Sequence, residues 1–169
     1  TGLRATTEAA RRPLPSRSES AREMGSRLVG PGARPVLGRG AILSAHVAVH
    51  QFCWIGEGAM GQGNSATSMH VPPFTLFSGA NRVVSLNIVG IRRSKEITRE
   101  DRHQIQEAFD LTYRSDLTVS DALRAMDEQT EWGAPANRFR DFVHRVVWAQ
   151  PPYKRGLCPL RRNAPTPDE

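Results

Sequence analysis

Residues 37–72 divide into six units of six: Leu37-Gly-Arg-Gly-Ala-Ile42, Leu43-Ser-Ala-His-Val-Ala48, Val49-His-Gln-Phe-Cys-Trp54, Ile55-Gly-Glu-Gly-Ala-Met60, Gly61-Gln-Gly-Asn-Ser-Ala66 and Thr67-Ser-Met-His-Val-Pro72. The first position is aliphatic in the first four units, and the fifth is small or compact in all six: Ala41, Val47, Cys53, Ala59, Ser65 and Val71. A helix repeats its faces every 3.6 residues and a strand every two, so neither produces this spacing. Stacked turns do. One hexad per side and three per turn, with the first residue pointing inward, predicts a left-handed parallel β-helix of about two coils over residues 36–73.

The chain around this repeat has 169 residues, 38% of them apolar and 24% charged, with a formal net charge of +6. Residues 1–35 hold seven Arg and three Glu with few large apolar groups, and read as a disordered basic tail, with a marginal helix over 8–12 or 18–28. No aromatic residue occurs before Phe52, so this tail has nothing on which bases could stack, and no nucleic-acid partner is expected. No apolar run is long enough for a membrane span or a signal-peptide core. Cys53 and Cys158 form no ligand cluster, so no metal is expected, and a reducing cytoplasm is the simplest location.

Pro72-Pro73 marks the end of the hexads, and residues 74–97 read as an extended, loop-like connection. From Thr98 the period becomes helical, predicting a C-terminal α-helical domain over 98–150. Thr98 with Asp101 resembles a capping box, followed by Ile105, Phe109 and Tyr113 on one face. Thr118 with Asp121 opens a second helix carrying Val119, Ala122, Leu123 and Met126. Gly133 and Pro135 read as a break, and a third helix after Asn137 carries Phe139, Phe142, Val143, Val146 and Val147. Pro151-Pro152 ends it, and residues 151–169 read as a loose tail. Two coils alone bury too little to be stable, so the helices and further copies of the chain are expected to cover them, as a homotrimer.

Four stretches in order carry a family resemblance: Ala48-Val-His-Gln-Phe-Cys-Trp-Ile-Gly56, Val71-Pro-Pro-Phe74, Asn87-Ile-Val-Gly-Ile-Arg-Arg93 and Tyr113-Arg-Ser115. Together they resemble the UDP-N-acetylglucosamine acyltransferases of lipid A biosynthesis over residues 40–158, the later part of that family's usual chain. The resemblance implies a homotrimer with active sites between subunits, and no cofactor. It also implies transfer of a 3-hydroxyacyl chain from acyl carrier protein to the 3-hydroxyl of UDP-N-acetylglucosamine. In such transfer a histidine removes the hydroxyl proton and a backbone amide stabilises the oxyanion.

Carried over by position, the resemblance implies that His50 and Gln51 line the site and that Asn87 contacts the nucleotide sugar. It places Arg92 and Arg93 near the phosphates, where a guanidinium fork suits the oxygens. His46 falls, in an ungapped match, on an ordinary coil position. His70, His103 and His144 show no partner spacing and read as surface or packing residues. The family's upstream Ala-His-Ile-Ala-His motif has no counterpart, since no histidine precedes His46, and Val89 stands where a Glu is expected. The catalytic residue is therefore unassigned and activity is expected to be impaired. The alternative is a trimeric hexapeptide-repeat binding module without catalysis. A third reading, another hexapeptide acyltransferase with a different acceptor, fits the Asn87–Arg93 stretch less well.

Overall fold

A computed structural model describes residues 34–129 and 131–161. The basic tail up to residue 33, its expected helices, and residues 162–169 lie outside the described residues. Six two-residue strands come from the hexads: β1 (Val36–Leu37), β2 (Ile42–Leu43), β3 (Ala48–Val49), β4 (Trp54–Ile55), β5 (Met60–Gly61) and β6 (Ala66–Thr67). They form three separate parallel ladders, each pairing residues eighteen apart: Val36 with Trp54, Ile42 with Met60, and Ala48 with Ala66. The chain thus returns to pair with itself every three hexads.

The fourth hexad position makes the corners. Gly40, His46, Phe52, Gly58 and Asn64 all have φ between 58° and 67°. Glycine takes this left-handed conformation freely and Asn tolerates it, whereas His46 and Phe52 carry a steric cost. The Phe52 ring is held edge-on against Tyr153, with centroids 5.5 Å apart.

The ladders do not stop at Pro72. Ile55 faces Val71, Met60 faces Leu76 of β7 (Thr75–Phe77), and Ala66 faces Ala80. The spacing contracts from eighteen residues to sixteen and then fourteen, which hides this last turn from a six-residue period. Its stacking is tight: a Cβ added to Gly56 would lie 2.2 Å from the Pro73 nitrogen. β7 then pairs antiparallel with β8 (Val83–Leu86).

Residues 88–93, expected as part of a loop, form a helix, α1 (Ile88–Arg93), capped by the Asn87 side chain, which accepts from the Gly90 N–H. The capping box forms at Thr98 and Asp101 and starts α2 (Arg99–Tyr113). Thr118 caps α3 (Val119–Glu128) by accepting from the Asp121 N–H. The last helix, α4 (Ala134–Val147), begins before Asn137, because a proline in the first turn sacrifices no hydrogen bond there. Gly133 and Pro135 are its start and not a break. Ile105, Phe109, Leu123, Met126, Phe139 and Val143 pack into one core with Ile55, Val71, Phe77, Val83 and Ile91.

The segment after Pro152 is not loose as far as residue 161. Leu157 bridges His70 and Leu160 bridges Val83, while Cys158 is fully buried and its carbonyl accepts from the Tyr113 hydroxyl at 2.8 Å. Long-range packing, invisible in a Pro-rich and aperiodic sequence, orders it.

Candidate functional site

His50 and Gln51 lie between β3 and β4, at the corner joining the third ladder to the first. The His50 N–H donates to the Thr67 carbonyl, fixing the backbone, while its side chain is exposed. Its Nδ1 is 2.8 Å from the Gln51 carbonyl oxygen. A carbonyl only accepts, so Nδ1 carries the proton and Nε2 is the nitrogen turned to other partners.

Asn87 is buried at a different corner. Its Nδ2 donates to the Gly58 carbonyl at 3.0 Å and its Oδ1 accepts from Gly90, so both ends of the amide hold α1 in place. Arg92 and Arg93, in the last turn of α1, are exposed and enter no ion pair among the described residues. Gly58 joins the first ladder to the second, so the Asn87–Arg93 group and the His50–Gln51 pair sit at opposite ends of the first ladder. No hydrogen bond links them among the described residues. Clefts of about 430 and 300 Å³ lie along α2 and between the first ladder and α4, and neither is lined by any of the five residues. Within one chain the five fall into two separate groups.

Of the remaining histidines and cysteines, His70, Cys53 and Cys158 are buried and the others are exposed. His46 occupies a corner, and His103 and His144 are exposed on helices. His70 is fully buried; its Nδ1 accepts from the Trp54 N–H at 3.0 Å and its Nε2 donates to the Tyr153 carbonyl at 2.7 Å. Burial depresses its pKa, and the nearby Arg145 and Arg155 add to this against the opposing Tyr153 hydrogen bond. Burial pushes the Cys53 thiol up and the Cys158 thiol up to about 12, which leaves neither a nucleophile. No group of His, Cys, Asp and Glu among the described residues could hold a metal.

One cluster was not anticipated. Glu57, beside Gly58, receives Arg138 of α4 at 2.7 Å and Arg39 at 3.5 Å, and Arg39 also pairs with Glu96 beyond α1. It clamps the corner that carries Asn87, and partners 81 residues apart leave no local signal.

The family model described as UDP N-acetylglucosamine O-acyltransferase, domain 2, matches residues 70–158. The chain belongs to that family. Among curated relatives, the acyl-carrier-protein–UDP-N-acetylglucosamine O-acyltransferase of Gloeothece citriformis is 35% identical over 106 residues, covering 62% of this chain and 38% of that protein. The enzyme of the same name from Synechocystis sp. is 42% identical over 87 residues, 51% of this chain and 31% of that protein. The chain thus spans well under half the length of these relatives. The UDP-N-acetylglucosamine acyltransferase from Campylobacter jejuni superposes with a TM-score of 0.64 at 27% identity, covering 76% of this chain and 47% of that one.

Proposed function

We propose that this chain supplies the C-terminal part of an enzyme that transfers a 3-hydroxyacyl group from acyl carrier protein to the 3-hydroxyl of UDP-N-acetylglucosamine, in the cytoplasmic steps of lipid A biosynthesis. The relatives' names and the 70–158 match support this reading. The three ladders eighteen residues apart are read as the end of a left-handed β-helix, three copies of which associate as a homotrimer. The observation that carries the proposal is the separation of the two groups. His50 and Gln51 stand at one end of the first ladder and the Asn87-held α1 at the other, so neighbouring copies are needed to bring them together.

In the assembled site, Arg92 and Arg93 pair with the diphosphate and Gln51 hydrogen-bonds the sugar. The sugar hydroxyl attacks the thioester carbonyl, a C–O bond forms, the C–S bond breaks, and the hydroxyl proton ends on the departing thiolate. Of the two histidines on the coil near the matched motifs, His46 and His50, we read His50 as carrying that proton in any residual activity. Yet the family resemblance puts the base on an upstream histidine that this sequence lacks. General-base catalysis is worth about 10²–10⁴-fold, so this chain alone is slow. The non-catalytic binding module remains the second reading, favoured by Val89 at the expected Glu position.

Two measurements decide. Calorimetry with UDP-N-acetylglucosamine is expected to show weak binding that Arg93→Ala abolishes; no binding, or binding indifferent to Arg93, removes α1 from the site. Acyl transfer from 3-hydroxyacyl carrier protein is expected to be low and lost in His50→Ala. Activity that survives both His46→Ala and His50→Ala overturns the assignment of the proton carrier.

A further inference from the structure

The end of α4 and the residues after it form a surface that contains none of the five residues assigned to the acyl-transfer site. Trp148 caps the helix and is 67% exposed, with the His144 ring 6.2 Å away. Short turns follow: the Tyr153 N–H donates to the Gln150 carbonyl and the Arg155 N–H to the Tyr153 carbonyl, so Lys154 and Arg155 lie in a fixed turn a few residues after Trp148. Residues 142–161 include Arg145, Lys154, Arg155 and Arg161 and no Asp or Glu. None of these four cations enters an ion pair among the described residues. Arg114 and Arg124 differ, pairing with Asp110 and Asp121, whereas Arg92 and Arg93 of α1 are likewise unpaired among the described residues but have no exposed indole beside them in the sequence. Arg145 and Tyr153 both pack on Trp54, which fixes the base of the surface.

We propose that this surface rests on an anionic lipid bilayer, with Trp148 in the headgroup region and Lys154 and Arg155 against lipid phosphates. An indole is at home there, its ring against the acyl boundary and its N–H among polar headgroups. Unpaired cations surrender no ion pair on meeting phosphate, and attraction to the anionic leaflet adds over them. An acidic protein is the less favoured partner. Protein interfaces seat an aromatic anchor in a matching pocket, whereas a bilayer accepts a protruding indole without any shape match. No helix among the described residues is long and apolar enough to cross a membrane, so the contact is peripheral, reversible and weakened by salt.

The test sediments the full chain with vesicles of phosphatidylcholine alone or with phosphatidylglycerol added. Binding is expected only to the anionic vesicles. Each lost cation should weaken it about fivefold, so Lys154→Ala/Arg155→Ala falls about 25-fold, and Trp148→Ala should also weaken it several-fold. Arg124→Ala, whose cation is already paired on α3, should bind like the parent. Trp54 and Trp132 are buried, so iodide quenching of tryptophan fluorescence reports on Trp148 and should drop when anionic vesicles are added. Equal binding to both vesicle types overturns the proposal. So does binding unchanged in the Trp148 and Lys154/Arg155 variants, which would assign it to cations elsewhere, such as the seven arginines of residues 1–35 or Arg92 and Arg93. Inert vesicles combined with patch-dependent capture of an acidic carrier protein would overturn it as well.

Discussion

Two successive turns of the repeat carry the same pattern and meet different fates. Leu37 and Ile55 are the first residues of their hexads and partners in one ladder, yet Leu37 is 48% exposed and Ile55 is 1% exposed. Val36 and its partner Trp54 differ in the same way. The second turn is covered above by the first and below by Val71, β7 and Ala80. The first turn has a neighbour on one side only. β1, β2 and β3 are all edge strands, so the N–H and C=O groups of Leu37, Leu43 and Val49 point away from the second turn and have no ladder partner among the described residues. The hexad sets the position of a residue, and only a stacked neighbour gives that position its stabilising effect.

The largest expected difference comes from truncating the two partners. Ile55→Ala should cost about 2–5 kcal/mol, because it opens a cavity in a fully packed site. Leu37→Ala should cost under about 1 kcal/mol, since much of that side chain is already in water. Urea unfolding of both variants measures this. Equal losses would mean that the first turn is covered in solution, by another copy or by residues outside the described region.

Amide exchange sharpens the same contrast. The N–H groups of Leu37, Leu43 and Val49 should exchange roughly 100-fold faster than those of Ile55 and Gly61 in the second turn. A variant with residues 36–53 duplicated in tandem moves the open edge up one turn and should slow the original three. If the added turn leaves them fast, the ladders do not propagate as the eighteen-residue register requires.

How much of this was legible follows the physics of the signals. The strands were, because an inward aliphatic every six residues has no other simple explanation. The corners were half legible: Gly40, Gly58 and Asn64 announce left-handed backbone, but His46 and Phe52 at the same position mask it. α1 was not, because six residues including β-branched Ile88 and Val89 and a central glycine look like a loop. Only the Asn87 cap gives it away. The turn through Ala80 was lost when its spacing contracted, and the ordered part of the tail when its partners proved to be 83 residues away, as with His70 and Tyr153. For the site, His50 and Gln51 are adjacent and could be read together. That Asn87 is held by Gly58 could not be, because nothing local in either stretch names the other.

The corners allow a smaller comparison. His46→Gly relieves a left-handed side chain that makes no hydrogen bond among the described residues, and should raise stability by about 0.5–1 kcal/mol. Phe52→Gly relieves the same backbone but loses the contact with Tyr153 and should be destabilising. Opposite signs in thermal melts are the expected result. If both variants gain, the Phe52–Tyr153 contact contributes little.

The smallest expected effect concerns pH and separates the closed end from the open one. His70 ties the second turn to the C-terminal segment only while neutral: Nδ1 must stay unprotonated to accept from Trp54, and Nε2–H must donate to Tyr153. The charged groups that act on it are Arg145 from α4 and Arg155 from the segment, with no carboxylate among them. Its folded pKa lies below that of the unfolded chain, because burial opposes the charge. Below about pH 6.5 the unfolded chain therefore binds a proton that the folded chain refuses. The stabilisation is complete above that pH and is lost as the pH falls toward the depressed value. His70→Gln keeps one acceptor and one donor but cannot titrate. Melting curves between about pH 7.5 and 5 should show the parent losing more stability than the variant, carboxylate effects being common to both. Measured relative to an unstructured reference peptide at each pH, proteolysis after Lys154 and Arg155 should rise in the parent over the same range and stay flat in the variant, while the protection factor at Leu37 stays unchanged in both. Parallel curves for parent and variant would show that His70 is not what holds the closed end.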